Sequence, residues 1–224
     1  MPSHSPDRRR LLGRLSAGFT LLVTSKLWVP GVLAEQLTAT VRQSAGPFYP
    51  DRLPLDRDND LIIVEDSLTP ASGAVTHLRG RILDLHGRPL RGALVEIWQV
   101  DANGVYLHSG SFGAERRDRH FQGYGRFETG SSGEYYFRTV RPVPYPGRTP
   151  HIHIAVTRSG QPRFTTQCYI RGEPHNARDV LLNRIRDPAV RETVLVDFVP
   201  LPDSPDELSA RFDIVLGLTA ETGS

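Results

Sequence analysis

The sequence predicts an all-β fold, a two-sheet β-sandwich with long loops and one short helix in its C-terminal half. From residue 78 onward, apolar segments of about five to nine residues recur at short, regular intervals, the pattern of a sandwich or barrel. Turn clusters separate them, namely HGRP at 86–89, DANG at 101–104, SSGE at 131–134 and SGQP at 159–162. Apolar residues take helical spacing in one stretch, 177–185, with Pro188 just beyond it.

Taken in order, residues 1–34 read as a secretory signal. Arg8, Arg9 and Arg10 precede a moderately apolar run that ends in a small residue at Ala34. Lys26 interrupts that run, which argues against a membrane helix of about 18 or more apolar residues. Arg8 and Arg9 followed by two leucines resemble a twin-arginine export signal, with Leu11 where phenylalanine is preferred. Residues 35–77 form an expected extended arm, because 43–60 is rich in proline and aspartate without an apolar period. The catalytic sandwich is expected over 78–220. Its strands are read at 78–84, 93–100, 135–140, 151–157, 165–171, 193–199 and 211–216.

Composition removes several function classes. The chain has 224 residues, 38% hydrophobic and 23% charged, enough for one domain with a core. Residues 1–34 hold five basic groups and one acidic group, so the remainder carries 22 basic and 24 acidic residues, a net of −2. That balance excludes a basic nucleic-acid binder. Lys26 is the single lysine, which removes Schiff-base chemistry and a Walker-type phosphate loop from the body. Cys168 is the single cysteine, so no internal disulfide or multi-cysteine zinc site exists, and its strand setting reads as packing.

The chemistry concentrates at 145–153, YPGRTPHIH. On a strand, His151 and His153 project to one face, and Ile152 and Ile154 turn to the other, into a core. Tyr145 and Arg148 lie just upstream, offering an anionic oxygen and a fixed positive charge. Tyr106, after DANGV, is a second candidate oxygen donor. An H-x-H pair alone does not specify a metal. Glu96 and Trp98 share one face of an earlier strand, as a structural carboxylate and a core or pocket-wall residue.

The order of motifs resembles the intradiol ring-cleavage dioxygenases. It runs over roughly 44–172: GPFY at 46–49, EIWQ at 96–99, DANGVY ending at Tyr106, FQGYGRF at 121–127, GEYYFRTVRP at 133–142, then PYP, RTPHIH and TQCY. The resemblance implies one ferric iron per chain, held by Tyr106, Tyr145, His151 and His153. It also implies an active-site arginine at Arg148 and a glutamine near the metal at Gln167. Tyr145 is the tyrosine it assigns as the displaceable ligand that doubles as base, with Tyr106 staying bound. Phenolate is a hard donor that favours iron(III), and imidazole completes a mixed nitrogen and oxygen set.

The expected reaction is cleavage of a catechol by O2 to a cis,cis-muconate type diacid. Arg148 would stabilise developing negative charge. Expected partners are a small-molecule catechol and O2, no nucleic acid, the membrane only through the export signal, and a homo-oligomer left open. Five residues separate Tyr145 from His151, fewer than in protocatechuate enzymes, and no long helical segment precedes the sandwich. Both departures bear on which catechol fits. Two other readings stand beside this one: a non-catalytic transthyretin-like module, and a different metal enzyme using His151, His153 and Glu96. His77, His86 and His175 read as structural, and His108 and His120 bracket the loop after Tyr106.

Overall fold

Gly80 shows how closely the chain is packed: a Cβ there would collide with the backbone oxygen of Phe212. It lies in β1 (Val75–Leu83), whose buried positions alternate with period two, as a strand against a core requires. The structure, a computed structural model, describes residues 36–65 and 67–217. The expected export signal over 1–34 lies outside the described residues.

β1 organises the first sheet. It pairs antiparallel with β4 (Glu134–Val140) on one side, and parallel with β9 (Ser204–Arg211) and β10 (Ile214–Val215) on the other. β8 (Phe198–Leu201) extends this sheet beyond β9. The second sheet has the order β3-β2-β5-β6-β7, from β2 (Leu94–Trp98), β3 (Tyr124–Glu128), β5 (His151–Thr157), β6 (Phe164–Ile170) and β7 (Leu195–Val196). Leu78, Ile82 and Phe137 from the first sheet meet Val95, Ile97, Ile152 and Ile154 from the second in the main core. The fold is therefore the expected all-β sandwich, and Cys168 is buried within that core.

Several boundaries differ from the sequence reading, for physical reasons. β3 and most of β9 fall outside the strands read from the sequence, because YGRFE and SPDELSAR lack an apolar alternation. The expected strand 193–199 breaks at Asp197, with β7 pairing in one sheet and β8 in the other, so the chain changes sheets there. Of the expected strand 211–216, Arg211 closes β9 and only Ile214 and Val215 pair as β10. The expected helix 177–185 is a 3-10 turn, Pro174–Arg178, followed by α1 (Val180–Asn183). Asp179 separates them and caps α1 through the N–H of Leu182. Pro188, read as a stop signal, instead opens α2 (Pro188–Glu192), since a first-turn proline lacks only an N–H that has no helical partner.

The described residues of 36–74 contain no strand, yet they are built into the body. Leu61 and Ile62 are buried in the main core, and Asp60 bridges to Arg138.

Candidate metal centre

β5 is buried on both faces. Ile152 and Ile154 enter the main core, whereas His151 and His153 face the loops and the arm. Cross-strand register places Gln167 and Trp98 on either side of His153, and Tyr169 beside His151. The Trp98 ring stacks on His153 with centroids 4.9 Å apart and planes 4° from parallel.

Loop geometry delivers the two tyrosines. After β2, the buried Asp101 carboxylate accepts from the N–H groups of Asn103, Val105 and Asp118, closing the turn that precedes Tyr106. Tyr106 is buried, and its own N–H donates to Ser111 Oγ. Tyr145 and Arg148 close a tight turn, with Arg148 N–H donating to the Tyr145 carbonyl at 2.9 Å.

All four expected donors converge. Tyr106 Oη stands 3.5 Å from Tyr145 Oη and 3.4 Å from His151 Nε2, and His151 Nε2 stands 3.1 Å from His153 Nε2. Donors that share a transition metal at about 2 Å stand roughly 3 Å from one another, so this spacing fits one ion. His151 Nδ1 donates to the Thr149 carbonyl at 2.7 Å, leaving the Nε2 lone pair free to ligate. His153 Nδ1 is buried without a partner.

Electrostatics favour neutral imidazoles. Burial, then the charge of Arg148, pushes His151 down to about 3, against the pull of the Thr149 carbonyl. Burial, then His151 and Arg148, pushes His153 well below its ordinary value. The Tyr106 phenol is pushed up by burial and by Tyr145. A bound cation reverses that last effect by stabilising the phenolate.

Arg148 is both paired with a carboxylate and aimed at the site. Its Nε donates to Asp179 Oδ2 at 2.9 Å, its Nη2 to Gln167 Oε1 at 2.5 Å and its Nη1 to Tyr145 Oη at 3.3 Å. Burial works against ionised Asp179, but hydrogen bonds from the N–H groups of Leu182 and Thr149 and from Arg148 hold it below the usual carboxylate range.

The arm and a second carboxylate complete the surroundings. Gly46 adopts φ 68°, and a Cβ there would meet His153 Cε1 at 3.3 Å. Phe48 stacks on Tyr106 with centroids 5.2 Å apart, and the Ser44 carbonyl accepts from Gln167 Nε2. Glu96 Oε1 accepts from Tyr49 and Tyr124, and Oε2 pairs with Arg163 at 2.9 Å. Both Glu96 oxygens are thus committed elsewhere, which removes the carboxylate from the His151, His153 and Glu96 alternative. Tyr49 and Tyr124 support Trp98 and Glu96 instead of joining the donors.

Among the described residues, the histidines at 77, 86, 108, 120 and 175 stay out of the donor cluster. His77 lies between Tyr136 and Glu207, His175 pairs with Glu173, and the His108 ring meets Phe48 edge-on. His120 is exposed.

Sequence reasoning missed Asp179, Tyr169, Thr149 and Phe48 as parts of the site. Tyr169 was legible, because it follows Gln167 by two residues on one strand and so shares its face. Tyr145 borders two cavities. One, of about 230 Å³, is lined by Phe48, Tyr106, Phe112 and Arg116; the other, of about 360 Å³, by Arg148, Thr149, His175 and Arg178.

A family model described as Dioxygenase matches residues 44–217. The chain is 33% identical over 192 residues to the protocatechuate 3,4-dioxygenase beta chain of Burkholderia cepacia, covering 80% of each chain. It is 27% identical over 207 residues to the intradiol ring-cleavage dioxygenase prcA of Aspergillus niger, covering 84% of this chain and 61% of that one. It therefore spans about three fifths of the length of that fungal relative. Among solved structures, the dioxygenase domain of a dioxygenase carbohydrate-binding protein fusion from Streptomyces sp. SirexAA-E is 30% identical, with a TM-score of 0.63. The match covers 81% of this chain and 100% of that one. With the sandwich and the two-tyrosine, two-histidine cluster, these matches mean that the chain belongs to the intradiol ring-cleavage dioxygenases.

Proposed function

We propose that this protein cleaves a catechol-type ring between its two hydroxyl-bearing carbons, consuming O2 and yielding a cis,cis-muconate type diacid. Both oxygen atoms of O2 enter the product. The reaction uses one ferric iron per chain, held by Tyr106, Tyr145, His151 and His153. The observation that carries this reading is the convergence of two phenol oxygens and two imidazole nitrogens in one buried cluster, with neighbouring donors 3.1 to 3.5 Å apart. Two hard phenolate oxygens with two neutral imidazoles suit iron(III) and do not suit a thiolate-loving metal.

When bound, ferric iron supplies a Lewis-acidic centre that holds both oxygens of a catechol and makes the ring reactive toward O2. The remaining work falls to side chains. Tyr145 borders both cavities and is half-buried, so its Oη is the group that takes a catechol proton. Arg148 stands 3.3 Å from that Oη and stabilises negative charge as it develops, without reorganising. Gln167 holds the guanidinium by its Oε1 and is itself held by the Ser44 carbonyl. Tyr106, stacked under Phe48, stays in place. The cavity bordered by Tyr145, Arg148, Arg178 and Asp179 offers a place for a ring with a substituent.

Loading the protein with iron(III) tests the centre. A red-brown colour from tyrosinate-to-iron charge transfer is expected, shifting when a catechol is added without oxygen. A colourless loaded protein contradicts the reading. Oxygen uptake across catechol, protocatechuate, hydroxyquinol and chlorinated or alkylated catechols then identifies the substrate. The pattern of residues 1–34 supports export by the twin-arginine route, with secretion expected to fail on replacing Arg8 and Arg9 by lysine.

A further inference from the structure

We infer that Asp179 is a positioning residue for the reaction: its carboxylate clamps Arg148 and Thr149 from behind, turning the guanidinium toward Tyr145 and fixing the ring of His151. The inference rests on the function proposed above.

The geometry is specific. The Asp179 side chain is 0% exposed and that of Arg148 15% exposed. Oδ2 accepts from Arg148 Nε at 2.9 Å and from Thr149 N at 3.0 Å, and Oδ1 accepts from Leu182 N at 2.9 Å. Arginine and carboxylate commonly meet through two parallel hydrogen bonds. Here the carboxylate engages Nε, and its second oxygen is spent on a helix start. Both terminal nitrogens of the guanidinium are thereby free to face the site. Nη1 reaches Tyr145 Oη, and Nη2 reaches Gln167 Oε1 and, at 3.4 Å, Tyr169 Oη.

Thr149 is held from both sides. Its N–H donates to Asp179, its hydroxyl donates to Asn176 Oδ1 at 2.8 Å, and its carbonyl takes the Nδ1 proton of His151. That last bond selects the tautomer in which His151 Nε2 faces the other donors. One carboxylate therefore sets two consecutive residues that act on the site in different ways.

A simple helix cap needs neither burial nor charge, and asparagine or serine serves as well. A buried charge, in contrast, persists only where it is paired. Substitution by asparagine separates these roles. Asp179→Asn keeps an oxygen for Leu182 N–H but turns an amide NH2 toward the N–H groups of Arg148 and Thr149. Asp179→Ser keeps the cap and withdraws the reach to Arg148.

The test compares wild type, Asp179→Asn, Asp179→Ser, Arg148→Ala and the double variant Arg148→Ala/Asp179→Asn, each loaded with iron(III). Steady-state kinetics are measured on a cleaved catechol, with rates expressed per bound iron. For Asp179→Asn and Asp179→Ser, kcat is expected to fall on the order of tenfold to hundredfold, with a smaller change in KM and the visible band retained. In the Arg148→Ala background, adding Asp179→Asn is expected to lower kcat by a clearly smaller factor, the part carried through Thr149 and His151. An unaltered kcat per iron in the single variants shows a structural cap and overturns the inference. An equal fall with and without Arg148 also overturns it, because Asp179 would then act independently of the arginine. Failure of the wild type to cleave any catechol overturns the proposed function and this inference together.

Discussion

The two faces of β5 are both buried, yet they are built on opposite principles. On one face, Ile152, Ile154 and Val156 join the main core between the sheets, where contact area and shape are what count. On the other, His151 and His153 lie among Trp98, Tyr106, Gln167 and Tyr169, and each polar atom there needs a partner. Most have one: Thr149 serves His151, and Arg148 serves Gln167 and Tyr145. The Nδ1 of His153 and the Nε1 of Trp98 have no partner, and the Nε2 atoms of His151 and His153 face one another at 3.1 Å, with lone pairs that one metal ion could share. The apolar face holds the strand in place, and the polar face keeps the donor atoms that the proposed iron would bond.

Removing a donor strikes the polar face hardest. His153→Ala is expected to weaken ferric iron binding by more than about 100-fold, exceeding the usual cost of losing an outer-shell partner. Titration of the visible band measures it, and unchanged binding breaks the distinction between the faces. Next comes the apolar face. Ile154→Ala is expected to cost about 2–5 kcal/mol of stability by chemical denaturation, while turnover per bound iron stays unchanged.

The seam between the arm and the sheet is expected to respond less. Glu96→Gln weakens its pairing with Arg163 and its acceptance from Tyr49 and Tyr124, at a cost of about 1–3 kcal/mol. Faster hydrogen exchange in residues 43–49 reads that loosening directly. The smallest effect is expected at the surface. His120→Ala should stay within about 0.5 kcal/mol in stability and leave colour and kinetics as in wild type.

The difference between the faces also explains what the sequence could reveal. HIHI at 151–154 alternates, so the strand and its two faces were legible from period two, while the chemistry of the histidine face needed the order of motifs. Tyr106 and Tyr145 became candidates through the order of motifs, because 38 residues of loop and strand separate them and no periodicity links them. β3 and β9 were hidden, since glycine, proline and charged residues make a strand whose pairing is decided by its neighbours. Asp179 was hidden for another reason. Its cap role was visible in DVLLN at 179–183, but its partner Arg148 lies 31 residues upstream and meets it only when β5 and the segment before α1 come together.

The central claim is that the polar face of β5 supports ring cleavage between the two hydroxyl-bearing carbons. Iron(III)-loaded protein given each catechol of the oxygen-uptake panel with ¹⁸O2 tests this most directly, with the products identified by chromatography and mass spectrometry. A colourless cis,cis-muconate type diacid carrying both labelled atoms is the predicted product. A yellow semialdehyde, from cleavage beside the hydroxyl pair, or recovery of every catechol intact contradicts the account.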